Sequence, residues 1–184
     1  MEKRIGIVAF SLHLCITFAL GDYYSNTRPY TPKQEVVTNL HFFFHDTLGG
    51  PDPSAVLIAK SGGHNSSAPS PFGSLLAADD PLTVGPDPKS EMIGNARGMY
   101  VSSGQHVPTL TMYIDFGFTS GKFNGSSFAV FSRNTIMDKE REVAVVGGRG
   151  RFRMARGVAL LNTYSVNLTN GDAIVEYNVT LYHY

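Results

Sequence analysis

The sequence predicts an all-β fold, an antiparallel barrel or sandwich of roughly eight strands, on three observations. Short apolar runs with a two-residue period recur at close spacing, and no convincing helical pattern follows the first 21 residues. The 184 residues include 19 Gly, 12 Phe and 9 Tyr, a composition that suits short strands and tight turns. Asn170-Gly171, between two such runs, is the strongest hairpin turn in the chain.

The strands can be assigned in chain order from this alternation. The clearest is residues 109–119, where every second residue from Leu110 to Phe118 is large and apolar. A β-branched run at 143–146 ends at a glycine-rich turn, which predicts a hairpin with the next apolar run. The predicted strands are residues 36–48, 55–60, 72–80, 93–102, 109–119, 123–131, 143–146, 158–164 and 172–184.

Two polar stretches are predicted as connections. Asp79-Asp80-Pro81 ends the third strand, and we interpret the acids as a turn or cap rather than a metal site. No His or further acid stands at ligand spacing from them. Residues 132–139 are predicted as a polar connection that carries Asn134.

The first 21 residues are typical of a secretory signal peptide. A short charged start precedes an apolar run at 5–20, and residues 19–21 form a small-x-small cleavage site. The run is short for a membrane span and polar residues follow it at once, so we expect no membrane association after its removal. Residues 22–184 then form a single mature domain. Cys15, the only cysteine, leaves with the signal, so that domain has no disulfide.

The mature chain carries the pattern of an extracellular glycoprotein. Four Asn-x-Ser/Thr sequons follow the signal segment, at Asn65, Asn124, Asn167 and Asn178. Formal net charge is zero and charged residues are sparse at 16%, so no basic surface favours nucleic acid. We therefore expect a secreted protein with no nucleic-acid partner.

Candidate chemistry begins with an acid among phenylalanines. Phe42, Phe44 and Asp46 share one face of the first strand. Asp46 is either a strand-end residue bonded to backbone or a carboxylic acid in an apolar pocket. In such a pocket desolvation raises its pKa and lets it donate a proton. In the strand at 93–102, small residues leave room inside a closed sheet, and Tyr100 places a phenol in that room.

Arginines are concentrated after the glycine-rich turn. Arg149, Arg151 and Arg153 are interpreted as a solvated basic turn. Arg156 differs because it stands beside Gly157 at the start of the next apolar run, a placement that lets it point into whatever the strands enclose.

Several motifs recur in order along the mature chain: HD at 45–46, FG…DDPLT at 72–83, GNARGMY at 94–100, GKFNGS at 121–126 and REVAVVGGRGRFRMARGVA at 141–159. Together they resemble the plant dirigent proteins across essentially the whole mature chain. The resemblance implies an eight-stranded antiparallel β-barrel, a homotrimer, an apoplastic or cell-wall location and a pocket that handles phenolic quinone methides.

The resemblance also implies site residues. Lignan-forming members carry an acid at the position of Asp46, a tyrosine at Tyr100 and an arginine at Arg156, all kept here. They carry a second tyrosine at Ser102, a second acid at Asn134 and a disulfide, none of which is present. We therefore expect Asp46, Tyr100 and Arg156 to be catalytic, and the pocket to be lined by Phe42, Phe44, Ser102 and Asn134.

Within the family, residues 113–134 and 170–184 are most similar to legume pterocarpan synthases. This similarity implies a hydro-lyase of isoflavonoid phytoalexin biosynthesis. It dehydrates an isoflavanol through a quinone methide and closes the pterocarpan ring stereospecifically, with no cofactor or metal. Asp46 would protonate the leaving hydroxyl. Arg156 would stabilise the developing phenolate, and Tyr100 would orient a ring.

Two other classes stay open. The protein could be a non-enzymatic dirigent protein that steers stereoselective coupling of oxidase-generated phenoxy radicals, of lignan or lignin type. It could also be a binding or structural wall protein that uses the barrel as a scaffold. Incubation with an isoflavanol and no oxidant separates the dehydratase from both.

Overall fold

The computed structural model describes residues 25–31, 33–60 and 70–184. The predicted signal peptide and the sequon at Asn65 lie outside the described residues. The chain divides into two units, residues 1–32 and 33–184. In the first unit, residues 25–31 are exposed and have no regular secondary structure. All that follows concerns the second unit.

The described residues of the second unit form nine antiparallel strands and two single-turn 3₁₀ helices, Gly121–Phe123 and Gly150–Phe152. The helices lie in the β5–β6 and β7–β8 connections. The strands are β1 Val36–Asp46, β2 Ala55–Ala59, β3 Leu75–Thr83, β4 Met92–Ser102, β5 Thr109–Phe118, β6 Ser127–Thr135, β7 Arg141–Arg149, β8 Arg156–Val166 and β9 Ala173–His183.

Eight of the strands close into a barrel. The sheet runs in the order β1-β9-β8-β7-β6-β5-β4-β3-β2, and β1 also pairs with β3. That closing contact joins Phe43 to Thr83 and Phe44 to Leu82. β2 lies outside the closed ring and pairs with β3 alone. The predicted eight-stranded antiparallel barrel is therefore confirmed.

The inner face is filled by aromatic rings over much of its length. Phe116 stacks on Phe128 with ring centres 4.9 Å apart, and Phe42 stacks on Tyr177 at 5.4 Å. All four are fully buried or nearly so. Rings of this size stabilise a core strongly and hold fixed relative geometries, so they form a rigid core inside the barrel.

The two ends of the barrel differ in chemistry. At the end where β5 and β9 finish, Phe118, Phe123, Phe152 and His183 pack ring against ring. The other end, where β1 and β6 finish, is the polar one: its buried or half-buried inner residues are Asp46, Asp80, Ser102, Asn134 and Arg141.

Two predicted connections are strands in the structure. β3 continues through Asp79 and Asp80 to Thr83, so the prediction of a turn or cap there is wrong. Asp79 faces outward and pairs with Arg97 at 2.9 Å, whereas Asp80 is fully buried. β6 continues to Thr135, so Asn134 belongs to a strand and not to a connection.

Candidate active site

Asp46 and Tyr100 meet at the polar end of the barrel. Asp46 is the last residue of β1 on the same face as Phe42 and Phe44, and Tyr100 enters from β4, on the far side of β3. The Tyr100 hydroxyl donates to both carboxyl oxygens of Asp46, at 3.2 Å to Oδ1 and 3.0 Å to Oδ2. Tyr100 is 3% exposed, so its phenol is fixed in this position.

A second acid, Asp80, accompanies them and was not predicted. Two residues before Leu82, it shares the inner face of β3 with buried Leu76 and Ala78. Its Oδ1 accepts a hydrogen bond from the Ser54 hydroxyl at 2.6 Å, and its Oδ2 is buried without a partner. The alternation from Leu76 to Leu82 was the signal that could have found it.

Burial raises the proton affinity of both carboxyls. Desolvation raises the pKa of Asp46 to about 7, with the charge of Asp172 adding to it and the Tyr100 hydrogen bond opposing it. Desolvation, and then the charge of Asp46, raise the pKa of Asp80 to about 8 against the Ser54 hydrogen bond. The two groups therefore hold at least one proton near neutral pH. Desolvation, with the Asp46 charge second, also raises the pKa of Tyr100, which stays a neutral donor.

Arg141 supplies the cation inside the barrel. It opens β7 on the same face as buried Val143 and is 6% exposed. Nη1 donates to Asn134 Oδ1 at 3.3 Å and Nη2 to Thr163 Oγ1 at 2.7 Å, while Nε is buried without a partner. Desolvation lowers the pKa of Arg141, but arginine stays charged in proteins. Among the described residues both of its hydrogen-bond partners are neutral, and no carboxylate is bonded to this buried charge, although the charge of Asp138 acts on it.

Arg156 lies on the outside of the barrel, and the expectation that it points inward is wrong. Alternate residues Ala159 and Leu161 face the core, so the strand parity turns Arg156 outward. Its side chain is 62% exposed and pairs with both carboxylate oxygens of Glu35. Its guanidinium lies 5.4 Å from the Tyr182 ring centre.

The other arginines of the turn are exposed as predicted. Arg149 pairs with Asp115 at 2.6 Å and also donates to Ser127. Arg151 and Arg153 are exposed.

The remaining predicted pocket residues face the interior. Phe42 and Phe44 belong to the buried aromatic core, and Ser102 is 6% exposed on the inner face of β4. Asn134 is also 6% exposed, and its amide nitrogen lies 3.2 Å from the sulfur of Met112. An interior of aromatic rings with a few polar groups suits a small aromatic ligand.

A cleft of about 250 Å³ opens at the opposite, aromatic end of the barrel. Its lining includes Phe42, Phe118, Phe123 and Lys122, but none of the five polar inner residues. The buried carboxyls, the phenol of Tyr100 and the guanidinium of Arg141 lie instead at the polar end, and we place the candidate site there.

The predicted glycosylation sites that the structure describes lie on the surface. The sequon asparagines Asn124, Asn167 and Asn178 are all exposed. No helix in the described part of the chain has the length and apolar character that crossing a bilayer requires. Within residues 25–31, 33–60 and 70–184, no three His, Cys, Asp or Glu side chains come together in a way that could hold a metal ion.

Comparisons with known proteins agree with this architecture. The chain is 48% identical over 193 residues to Dirigent protein 15 of Arabidopsis thaliana, covering 99% of this chain and 100% of that protein. It is 46% identical over 187 residues to Pterocarpan synthase 1 of Glycine max, covering all of both chains. The solved structure of the pterocarpan synthase dirigent protein GePTS1 matches with a TM-score of 0.78 and 47% identity. That match covers 84% of this chain and 89% of that one.

The family model for dirigent-like proteins matches residues 37–182, nearly the whole of the barrel. The chain therefore belongs to the dirigent family.

Proposed function

We propose that this chain is a dirigent-type pterocarpan synthase, a hydro-lyase that removes water from an isoflavanol and closes the pterocarpan ring. The observation that carries the proposal is a proton-holding carboxyl, Asp46, at the same end of one barrel interior as Arg141, a buried cation with no bound carboxylate. The relatives named pterocarpan synthase, at 46% and 44% identity, support it.

The first step is loss of the 4-hydroxyl. Asp46, with its pKa raised to about 7 by desolvation, donates a proton to that oxygen, which leaves as water. The Tyr100 hydroxyl fixes the orientation of the carboxyl, since it donates to both of its oxygens. Electron release from the 7-phenol, whose proton passes to solvent water and is returned from it after ring closure, breaks the C4–O bond and produces a quinone methide.

Arg141 stabilises the negative charge that develops on the 7-oxygen as that phenol ionises. Its hydrogen-bond partners, Asn134 and Thr163, are neutral, and Asp138 acts on it only through its charge, so no carboxylate occupies the guanidinium before substrate binds. The unpartnered Nε–H offers a further donor. A preorganised, desolvated donor of this kind acts on developing charge far more strongly than water does.

Ring closure follows in the same pocket. The 2′-hydroxyl attacks C4, its proton returns to the Asp46 carboxylate, and the 7-oxygen recovers a proton as the ring becomes aromatic again. Only water is lost overall, and no oxidant or reductant is consumed. The rigid aromatic core contributes by holding the two reacting atoms in place and one face of the quinone methide closed.

The test is incubation with an isoflavanol in the absence of any oxidase, with the pterocarpan measured by chiral chromatography and mass spectrometry. We expect turnover by the wild-type protein. Dirigent protein 15, at 48% identity, carries no synthase name and supports the second candidate, a director of phenoxy-radical coupling. That candidate predicts no product here, and stereoselective coupling only when an oxidase and a phenol are supplied.

We also propose that the protein is secreted, glycosylated and trimeric. Met99, Tyr113 and Phe131 are direct cross-strand neighbours on β4, β5 and β6 and form an exposed apolar row on the outer wall. Such a row is suited to contact with further copies of the chain. Light scattering of plant-secreted protein tests this: a trimer mass that Tyr113→Asp reduces to a monomer supports it, and a monomeric wild type contradicts it.

A further inference from the structure

We propose that Asp80 is the second acid of this site and shares one proton with Asp46, so that Asp80 is a positioning residue that controls the protonation of the catalytic carboxyl. The consequence for turnover rests on the dehydration chemistry proposed above. The shared proton itself does not depend on that chemistry.

Strand parity and Ser54 bring the two carboxyls to the same part of the inner face. Where β1 meets β3, Phe44 lies opposite Leu82, and both side chains face the core. Asp46 lies two residues after Phe44, and Asp80 two residues before Leu82, so alternation keeps both acids on the inner face. Beyond that pair Ser54 joins the strands: its hydroxyl accepts from the Thr47 N–H and donates to Asp80 Oδ1, and its carbonyl accepts from the Asp79 N–H.

The hydrogen bonds of Asp80 leave one oxygen for this purpose. The Ser54 hydroxyl, which also accepts from the Thr47 backbone N–H, donates to Oδ1 and joins the acid to the segment before β2. That contact gives Oδ1 a hydrogen-bond partner. Oδ2 has none among the described residues, and it is buried together with the rest of Asp80. A buried carboxylate oxygen left unbonded is unfavourable, and a proton shared with a neighbouring carboxyl removes that penalty.

Desolvation is the largest effect on both acids and opposes their ionisation. The nearby charges, Asp172 acting on Asp46 and Asp79 acting on Asp80, add to it because they have the same sign. Two hydrogen bonds act the other way, from Tyr100 to Asp46 and from Ser54 to Asp80. The Tyr177 phenol from β9 also interacts with the charge of both acids. Two carboxyls in this setting titrate as a unit with two separated apparent pKa values.

This arrangement has a catalytic consequence. The last proton to leave belongs to the pair and not to either acid alone. In the form that holds this proton on Asp46, the charge of Asp80 opposes its loss and retains it to higher pH. Removing that charge should let Asp46 lose its proton at lower pH, so that the alkaline limb of turnover against pH moves in the acid direction.

The experiment is a pH–rate profile of isoflavanol turnover for wild type, Asp80→Asn and Asp52→Asn. The last is the control: it makes the same change at an exposed aspartate in the β1–β2 connection, which is not among the charges that act on the pair. We expect the alkaline limb to move by about one pH unit to lower pH in Asp80→Asn and to stay in place in Asp52→Asn. A lower melting temperature in Asp80→Asn with an unmoved limb means that Asp80 is only structural and overturns the proposal.

A direct titration separates this proposal from the proposed function. The carboxyl ¹³C resonances of labelled aspartate report the protonation of each acid and need no turnover. The titration of Asp46 is followed in the Asp80→Asn variant, and that of Asp80 in the Asp46→Asn variant. Each remaining acid should titrate at lower pH than the last proton of the wild-type pair. If the wild type forms no pterocarpan but this coupling is seen, the dehydratase is wrong and the shared proton stands. Titration that is unchanged in the folded variants overturns the proposal of a shared proton. If Asp80→Asn does not fold, the titration of Asp80 in Asp46→Asn tests the proposal alone.

Discussion

Arg141 and Asn134 face each other inside the barrel, with Nη1 3.3 Å from Oδ1, and this contact leaves the buried guanidinium without a bound carboxylate. An aspartate at position 134 would supply one, and with it an ion pair in the interior. An asparagine leaves the charge available to an anionic oxygen of a ligand, which is what a phenolate-forming reaction needs.

Arg141→Lys should reduce isoflavanol turnover by at least about tenfold, equivalent to about 1.4 kcal/mol of transition-state stabilisation. Lysine keeps the charge but loses the planar fork that reaches Asn134, Thr163 and a substrate oxygen together. The matched control is Arg156→Lys on the outer wall, which should turn over at the wild-type rate. Equal losses in the two variants would remove Arg141 from the site.

Asn134→Asp should weaken the dehydratase by pairing Arg141 before substrate arrives. A carboxylate at hydrogen-bond distance neutralises the guanidinium, so we expect KM to rise and kcat/KM to fall by about tenfold. Asn39→Asp, the same change at an exposed asparagine outside the sequons, serves as the control. Steady-state kinetics of both variants check this; a kcat/KM in Asn134→Asp equal to that of the control would show that the free cation has no role.

Asp46→Asn should retain the fold and lose about 10²–10⁴-fold in rate, the usual contribution of general acid–base catalysis. The amide can still accept from Tyr100 but carries no transferable proton. Melting temperature and turnover are measured on the same sample. Turnover at the wild-type rate in a well-folded variant would show that Asp46 is a strand-end residue with no catalytic role.

Stability should fall as pH rises through neutrality. Asp46 and Asp80 ordinarily titrate near 3.8, but desolvation raises their pKa values in the folded protein to about 7 and about 8. Between these limits the folded state holds more protons than the unfolded chain. The free energy of unfolding then decreases by at most about 1.4 kcal/mol per pH unit for each retained proton.

His45 acts in the opposite direction, because burial lowers its pKa and folding then favours its neutral form. The informative quantity is therefore the difference between variants. Urea unfolding from pH 5 to pH 8 should show a shallower decline for Asp80→Asn than for the wild type. A parallel pH dependence in the two proteins would mean that Asp80 is ionised throughout this range.

Strand alternation was sufficient to predict an all-β barrel or sandwich, and the family resemblance indicated the barrel. Alternation placed Asp46 on the face of Phe42 and Phe44, but it could not show which face of β1 is enclosed, because Phe43 and His45 on the other face are buried as well. In β4 the small residues indicated the inner face that carries Tyr100. Asp80 escaped because Asp-Asp-Pro is typical of a turn. In the structure Pro81 lies where the pairing of β3 with β1 ends, a position that tolerates a residue without an N–H.

The cation was assigned to the wrong arginine for a related reason. β8 is apolar on both faces, with Val158 and Leu160 outward and Ala159 and Leu161 inward, so its sequence gives no sign of which face is enclosed. Arg141 follows a charged connection and is typical of a surface residue by local pattern alone. Only barrel closure, which brings β6 and β8 to either side of β7, buries it.

The central claim is that the barrel dehydrates an isoflavanol by proton transfer alone. Its most direct test is anaerobic incubation of the wild-type protein with an isoflavanol that carries ¹⁸O in the 2′-hydroxyl and ¹⁶O at C4, with no oxidase present. We expect one pterocarpan enantiomer with the ¹⁸O retained in the new ring, and a rate that Asp46→Asn abolishes. Absence of product under these conditions, or product that lacks the label, would contradict the account.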